Sequence, residues 1–385
     1  MEKREKVIRL IVRSVSYVLV AALASFATML LMGRSMKLAQ LEQIIETYFV
    51  GETDDAAMTD AAAAAMVGSL GDRWSYYISA QEYADYQERK TNSYVGIGIS
   101  IQKNPDGLGF DIVQVEPDAP ASKAGILPGD ILIEVEGQSM ANVDSDVPID
   151  LIRGRSGTQV RLVVLRDGEE IPFTVKRITM QSLVAEGQML ADSVGYVRIN
   201  NFNTNCAKQT IAAIKDLVSQ GARALVFDVR NNPGGYVSEM NEILDYILPE
   251  GDLFRSVRYN GAESVDKSDA ACLEMPMAVL VNGYSYSCAE FFAAALEEYD
   301  WAEVVGEPTV GKGYYQNTFR LLDGSAVGLS VGQYYTPNGV SLAEEGGLVP
   351  DVVVEVDDIT FAMIYAKVLP LEEDPQLAAA LDTLK

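Results

Sequence analysis

Met277-Ala278-Val279-Leu280-Val281-Asn282-Gly283-Tyr284-Ser285-Tyr286-Ser287-Cys288-Ala289-Glu290-Phe291 reads as an apolar strand, a short turn and the opening of a helix that runs to Tyr299. Five apolar residues without alternation suit a strand buried on both faces of a helix-covered sheet. The same grammar recurs upstream. Val194–Ile199 reads as a strand, and Thr204 as the N-cap of a helix reaching about Ser219. Ala224–Arg230 reads as a second buried strand running into Asn231-Asn232-Pro233-Gly234-Gly235, with a helix from about Ser238 to Leu248. This alternation over 190–355 predicts an α/β core with its ligands at the carboxyl ends of strands.

A serine that follows an apolar strand and opens a helix sits among free backbone amides, whose dipoles stabilise an oxyanion. The same position is also that of a plain serine N-cap. A second element bears on the choice. Gly306-Glu307-Pro308-Thr309-Val310-Gly311-Lys312-Gly313 sets a lysine among glycines and apolar residues in a loop. Burial favours the neutral amine, which can take a proton from a serine. The 385 residues contain no histidine, so Ser-His-Asp, Cys-His and His-ligated metal chemistry are excluded, and a Ser-Lys dyad is the natural remaining pair. Cys206, Cys272 and Cys288 are odd in number and widely spaced, which suggests neither a disulfide framework nor a zinc site. A formal charge of −25 argues against nucleic acid as a partner.

Residues 91–180 change texture to short strands and turns. Ile97–Ile101 alternates, Asn104-Pro105-Asp106-Gly107 signals a hairpin, and Ala119–Ile126 reads as a short helix. With Leu127-Pro128-Gly129-Asp130-Ile131-Leu132 and a hairpin turning at Asp167-Gly168, the segment resembles a PDZ domain. That resemblance makes Gly96, Ile97, Gly98 and Ile99 the loop and strand that would take a chain-terminal carboxylate and pair with the peptide behind it.

At the N-terminus, Lys3, Arg4, Lys6, Arg9 and Arg13 precede twenty uncharged residues, 14–33, long enough at 1.5 Å per residue to span a hydrocarbon core of about 30 Å. The basic flank predicts a cytoplasmic N-terminus and an extracytoplasmic remainder in the cell membrane. A cleaved signal peptide is the rival, but its apolar region is usually about 7–15 residues, and Ala22-Leu23-Ala24 falls inside the run rather than after it. Leu38, Leu41, Ile44, Ile45 and Tyr48 form a helical stripe, either intramolecular core or a homodimer contact, and Asp55–Leu70 and Ala80–Arg89 also read as helices.

Together, Asp228–Gly235, Ser285–Glu290, Val304–Gly313, Tyr335-Thr336-Pro337-Asn338-Gly339 and Gly347–Val352 resemble, in order, the motifs of the carboxyl-terminal processing (tail-specific) proteases, serine peptidases with an embedded PDZ domain. The resemblance covers 70–355. It implies that Ser287 is the nucleophile, Lys312, 25 positions on, the general base, and Gln316 the residue that positions the lysine. It implies oxyanion amides at Gly235 and Cys288, and an Arg153 that couples peptide binding to the site; an exposed surface arginine is the other reading of Arg153. Tyr286 and Cys288 stand where the family has alanines, and Ala289 where it has serine. Cys288 invites a thiol-nucleophile reading, disfavoured because its spacing to Lys312 is one short.

The expected fold is an α/β catalytic core with an inserted, mainly-β PDZ domain, an N-terminal helical segment and one transmembrane helix. The expected parts are a cytoplasmic tail (1–13), an anchor (14–33), a helical region (35–90), the PDZ domain (91–180), the Ser-Lys protease core (181–360) and a helical tail (361–385). The expected function is a membrane-anchored endopeptidase acting on protein or peptide substrates with free C-termini, without metal or organic cofactor. The alternative is a catalytically silent PDZ scaffold. An acyltransferase or esterase on the same dyad is disfavoured, because a PDZ domain selects peptide ends.

Overall fold

A computed structural model describes residues 15–17, 19–20, 22 and 36–385. Apart from those six N-terminal positions, the expected tail and anchor over 1–33 lie outside the described residues. Among the described residues no helix is long and apolar enough to cross a membrane. The chain divides into two compact units, Met1–Tyr77 and Ile78–Lys385.

In the first unit one helix covers 36–48 and a second, α1 (Asp55–Gly68), opens at Asp54, whose carboxylate accepts from the Ala57 amide at 3.1 Å. Leu38, Leu41, Ile44 and Tyr48 are exposed.

The second unit begins with α2 (Tyr83–Thr91), which starts three residues later than the expected Ala80, because Glu82 turns back to bind the Ser79 amide and hydroxyl. Its C-cap, Asn92, takes a left-handed conformation and donates to Asn201 Oδ1 and the Thr204 carbonyl. The chain then enters the PDZ region through β1 (Ser93–Gly96). There follow β2 (Ile99–Lys103), β3 (Phe110–Val115), α3 (Pro120–Ala124), β4 (Ile131–Val135), α4 (Asp146–Ile152), β5 (Gln159–Arg166) and β6 (Glu169–Lys176). The antiparallel sheet runs β2-β3-β4-β5-β6, which leaves β2 on an edge. Its core is built from Ile97, Phe110, Ile112, Leu132, Leu162 and Val164. The chain leaves through β7 (Ile178–Gln181), antiparallel to β1, so the insert stands on a two-stranded ribbon. At its foot the buried Arg177 donates to the carbonyls of Leu151 and Ile152, satisfying the end of α4 that the helix cannot.

The catalytic region holds a six-stranded sheet in the order β8 (Ala185–Met189), β9 (Val194–Ile199), β10 (Ala224–Asp228), β13 (Met277–Val281), β14 (Ala302–Gly306) and β17 (Val352–Val353). All neighbours are parallel except β8, and every residue of β10 and β13 is buried, as their unbroken apolar runs require. The crossover helices are α5 (Cys206–Ser219), α6 (Val237–Ile247) and α7 (Cys288–Glu298). The N-cap of α5 is Asn205 rather than the expected Thr204, whose hydroxyl donates instead to the Lys90 carbonyl at 3.1 Å.

Four strands that the sequence reading does not single out lie in a second sheet, antiparallel to one another: β11 (Gly251–Arg258), β12 (Glu263–Ser268), β15 (Tyr314–Arg320) and β16 (Ala326–Tyr335). Helix α7 lies between the sheets. Phe292 packs on Phe202 and Phe227 of the parallel layer, and Phe291 on Phe254 and Tyr334 of the other. Truncating either ring would cost about 3–5 kcal/mol. The chain ends in α8 (Asp358–Tyr365), which begins three residues ahead of the expected tail, and the separate helix α9 (Pro375–Thr383).

Candidate active site

The site is assembled where β10 and β13 end. Asn282 Oδ1 accepts from the amides of Asn231 at 3.0 Å and Tyr284 at 3.1 Å, which ties the two strand ends together. The two nearby serines are then separated by what their hydroxyls touch. Ser285 is fully buried, and its Oγ accepts from the Asn282 amide at 3.0 Å and donates to the Val229 carbonyl at 2.8 Å, so it holds the turn. Ser287 is the N-cap of α7 with φ 59° and ψ −128°. That conformation costs a non-glycine residue about 1–3 kcal/mol and survives only where the surroundings enforce it.

Glu290 enforces it. This glutamate is completely buried, and its four partners all donate. Oε2 accepts from the Ser287 amide at 2.8 Å and the Lys312 amide at 2.9 Å; Oε1 accepts from Thr309 Oγ1 at 2.5 Å and the Gly311 amide at 2.6 Å. The backbones of Ser287 and Lys312, 25 residues apart, therefore meet on one oxygen atom. The sequence reading assigned Glu290 no role, although Ser-x-x-Glu at a helix start is the capping-box spacing.

The turn after β10 lies against the helix start. Tyr286 donates its amide to the Asn232 carbonyl at 3.1 Å, and Asn232 anchors to the Ile199 carbonyl at 2.8 Å. Gly234 has φ +82°, and a Cβ there would fall 2.8 Å from Ser287 Cβ, so only glycine allows this approach. The Gly235 backbone lies against the Cys288 thiol, and the Cys288 amide opens α7 beside it. The turn itself is held from behind. Buried Arg230 binds Asp228 through Nε at 3.0 Å and Nη2 at 2.7 Å, and reaches Asp374 at 2.7 Å and Gln376 at 3.0 Å at the start of α9. Burial alone would raise the Asp228 carboxyl, but the Arg230 guanidinium outweighs it and holds the group below the ordinary carboxylate range.

Lys312 is half-buried in the β14–β15 loop, with Nζ 5.7 Å from the centroid of the Tyr286 ring. Glu307, at the start of the same loop, accepts from the Val356 amide at 3.2 Å. Gln316 lies on β15 opposite Ser330, and its Nε2 donates to Ser330 Oγ and the Tyr314 carbonyl, both at 3.1 Å. Among the described residues no group of three Cys, Asp or Glu side chains is arranged for a metal ion.

The comparisons with known proteins concern this arrangement. The model of peptidase family S41 matches residues 193–354, and a PDZ domain model matches 112–166. A carboxyl-terminal-processing protease of Synechocystis is 32% identical over 333 residues, covering 85% of this chain and 77% of that protein. The carboxy-terminal processing protease CtpA of Bacillus subtilis is 33% identical over 338 residues, covering 86% and 70%. This chain belongs to peptidase family S41. It is a serine peptidase of the carboxyl-terminal processing class with an embedded PDZ domain, and the enzyme reading stands over the silent scaffold. The fold is also that of a putative S41 protease from Bacteroides fragilis, with a TM-score of 0.52 at 19% identity over 87% of this chain and 92% of that one.

Two departures of this S41 peptidase acquire structural content. Tyr286, in an alanine position of the family run, spreads its ring beside Lys312 Nζ. Cys288 is a poor nucleophile: burial above all pushes its thiol up to about 11, and its Sγ donates to the Gly235 carbonyl at 3.5 Å.

In the PDZ region Gly96 ends β1, paired with Ile178, so the loop proper is Ile97-Gly98. Gly98 has φ +81°, and a Cβ there would fall 2.3 Å from that of Ala119. Among the described residues the amides of Ile97 and Gly98 donate to no protein acceptor. Ile99 opens the free edge of β2. Arg153 is exposed just after α4 and acts electrostatically on Tyr94, whose hydroxyl donates to Glu116 at 2.8 Å. Burial first, then Glu116, pushes the Tyr94 phenol up.

Proposed function

We propose that this S41 peptidase is an extracytoplasmic, membrane-anchored endopeptidase that takes substrate C-termini on its PDZ domain and cuts peptide bonds with a Ser287–Lys312 dyad. Ser287 Oγ attacks the scissile carbonyl carbon as Lys312 Nζ accepts its proton. The oxyanion is received by the amides of Gly235 and Cys288. Collapse breaks the C–N bond, and the departing amine takes the proton from Lys312. Water then repeats the sequence on the ester and frees Ser287. Gln316 positions the lysine.

The observation that carries this reading is the buried Glu290 carboxylate, which binds the amides of Ser287 and Lys312 on a single oxygen. Tail capture is supported by the two unused amides at Ile97-Gly98 beside the free edge of β2. Anchoring is supported by the uncharged run 14–33 behind five basic residues, and pairing with a second copy by the exposed stripe of Leu38, Leu41, Ile44 and Tyr48.

Incubating the protein with unstructured tails tests the catalytic reading. Ser287→Ala and Lys312→Ala should each abolish cleavage, and the double variant should be no worse than either alone. Activity surviving Ser287→Ala but lost in Cys288→Ser would refute it. Amidating the substrate terminus should weaken cleavage markedly. Membrane fractionation of the full chain and sedimentation of the detergent-solubilised protein test the anchor and the second copy.

A further inference from the structure

A hollow of about 500 Å³ opens on the second sheet beside the candidate site. Its floor is aromatic. Tyr315 stacks on Tyr334 with centroids 4.9 Å apart and planes 16° apart, and Phe254 meets Tyr334 at 4.7 Å. The Tyr315 ring lies flat over β16 because residue 332 is glycine; a Cβ there would fall 2.4 Å from the ring. Phe319, 47% exposed, and Val237 form its sides. The volume lies within the range of about 300–1,000 Å³ typical of ligand sites.

Two lining residues are near chain neighbours of the loops that frame Ser287, and a third is hydrogen-bonded to one of those loops. Val237 follows Gly235 by two residues, Tyr315 follows Lys312 by three, and the Tyr334 amide donates to the Gly313 carbonyl at 2.8 Å. A polypeptide whose carbonyl sits between Gly235, Ser287 and Lys312 therefore has a neighbouring side chain within reach of these rings. The charged residues of the lining, Arg258 and Asp266, are of opposite sign, so the hollow offers no net charge to an ionic side chain. We propose that it is a specificity subsite that receives a bulky apolar side chain, aromatic or leucine-like, flanking the scissile bond. The inference rests on the peptidase reading above and adds to it the class of residue selected.

The test moves a single Phe, position by position, through an unstructured Gly/Ser/Ala peptide with a constant free apolar C-terminus. Wild-type protein is read by kcat/KM, and Ser287→Ala protein by the Kd of the labelled peptides from fluorescence anisotropy. At one position Phe should exceed Ala by about tenfold or more in both readouts. Ser264 lies exposed on β12 at the rim, so Ser264→Trp fills the hollow without entering the core, and the Phe/Ala ratio should fall towards one. Phe319→Ala removes a wall and should lower the same ratio. Rates and affinities that stay within twofold wherever Phe is placed would overturn the proposal, as would a preference untouched by both variants. A Kd preference without any cleavage would sink the catalytic reading and keep the subsite; cleavage without preference would do the reverse.

Discussion

Replacing Glu290 by glutamine changes almost no volume and removes one acceptor from a group whose four neighbours all donate. The amide oxygen can keep one pair of donors, and the amide nitrogen must face the other. If the oxygen stays with Ser287 and Lys312, the nitrogen meets the Thr309 hydroxyl, which can rotate to accept, and the Gly311 amide, which cannot. A buried N–H left without an acceptor costs about 1–3 kcal/mol, and each retained bond loses about 1 kcal/mol with the negative charge. The expected destabilisation is therefore about 3–5 kcal/mol. Because the carboxylate also enforces the strained Ser287 backbone, kcat should fall by about a hundredfold or more while KM changes little, since no substrate contact is removed. Urea unfolding and a pH-controlled peptide assay on the same preparation read both quantities. A Glu290→Gln protein within about 1 kcal/mol of wild type and of equal kcat would refute the claim that this carboxylate organises the site.

Arg230→Ala takes the guanidinium from buried Asp374 and leaves buried Asp228 with Arg198 at 3.7 Å, and should cost about 3–5 kcal/mol and loosen α9, seen as faster amide exchange over Pro375–Thr383. Burial pushes Cys206 up to about 12 and Cys288 up to about 11, whereas Cys272 is half-exposed, so an aromatic disulfide reagent at pH 8 should titrate one thiol in the native protein and three after unfolding. Glu297, raised by burial and then by Asp351 and Glu298, holds its proton to about pH 7 when folded but only to about 4.5 when unfolded. The stability this proton carries is complete below about pH 4.5 and is lost as pH rises through 7. Glu297→Gln should thus leave Tm unchanged at pH 4.5 and raise it at pH 8, the gain in stability being roughly 1 kcal/mol once its half-exposure is allowed for. An equal Tm change at both pH values would contradict the shift.

Local chemistry made much of this protein readable from the chain alone. The buried strands Ala224–Asp228 and Met277–Val281 announce themselves because a strand covered on both faces must be apolar at every position. The PDZ turns are written in residues such as Gly98, whose backbone no other side chain tolerates, and the absence of histidine narrows the catalytic options before any fold is considered. What the chain could not disclose are contacts between residues far apart in it. The second sheet escaped because Tyr314–Arg320 is polar and half-exposed, without a clean two-residue alternation, and only its pairing with Ala326–Tyr335 makes it a strand. That the Ser285 hydroxyl is spent on holding the turn depends on the Val229 carbonyl, 56 residues before it. The grip of Arg230 on Gln376 spans 146 residues. Glu290 carries no role in the chain alone, because in one dimension its only visible partner is Ser287; folding brings it the amides of Gly311 and Lys312 as well, and a buried carboxylate takes every donor that tertiary structure delivers.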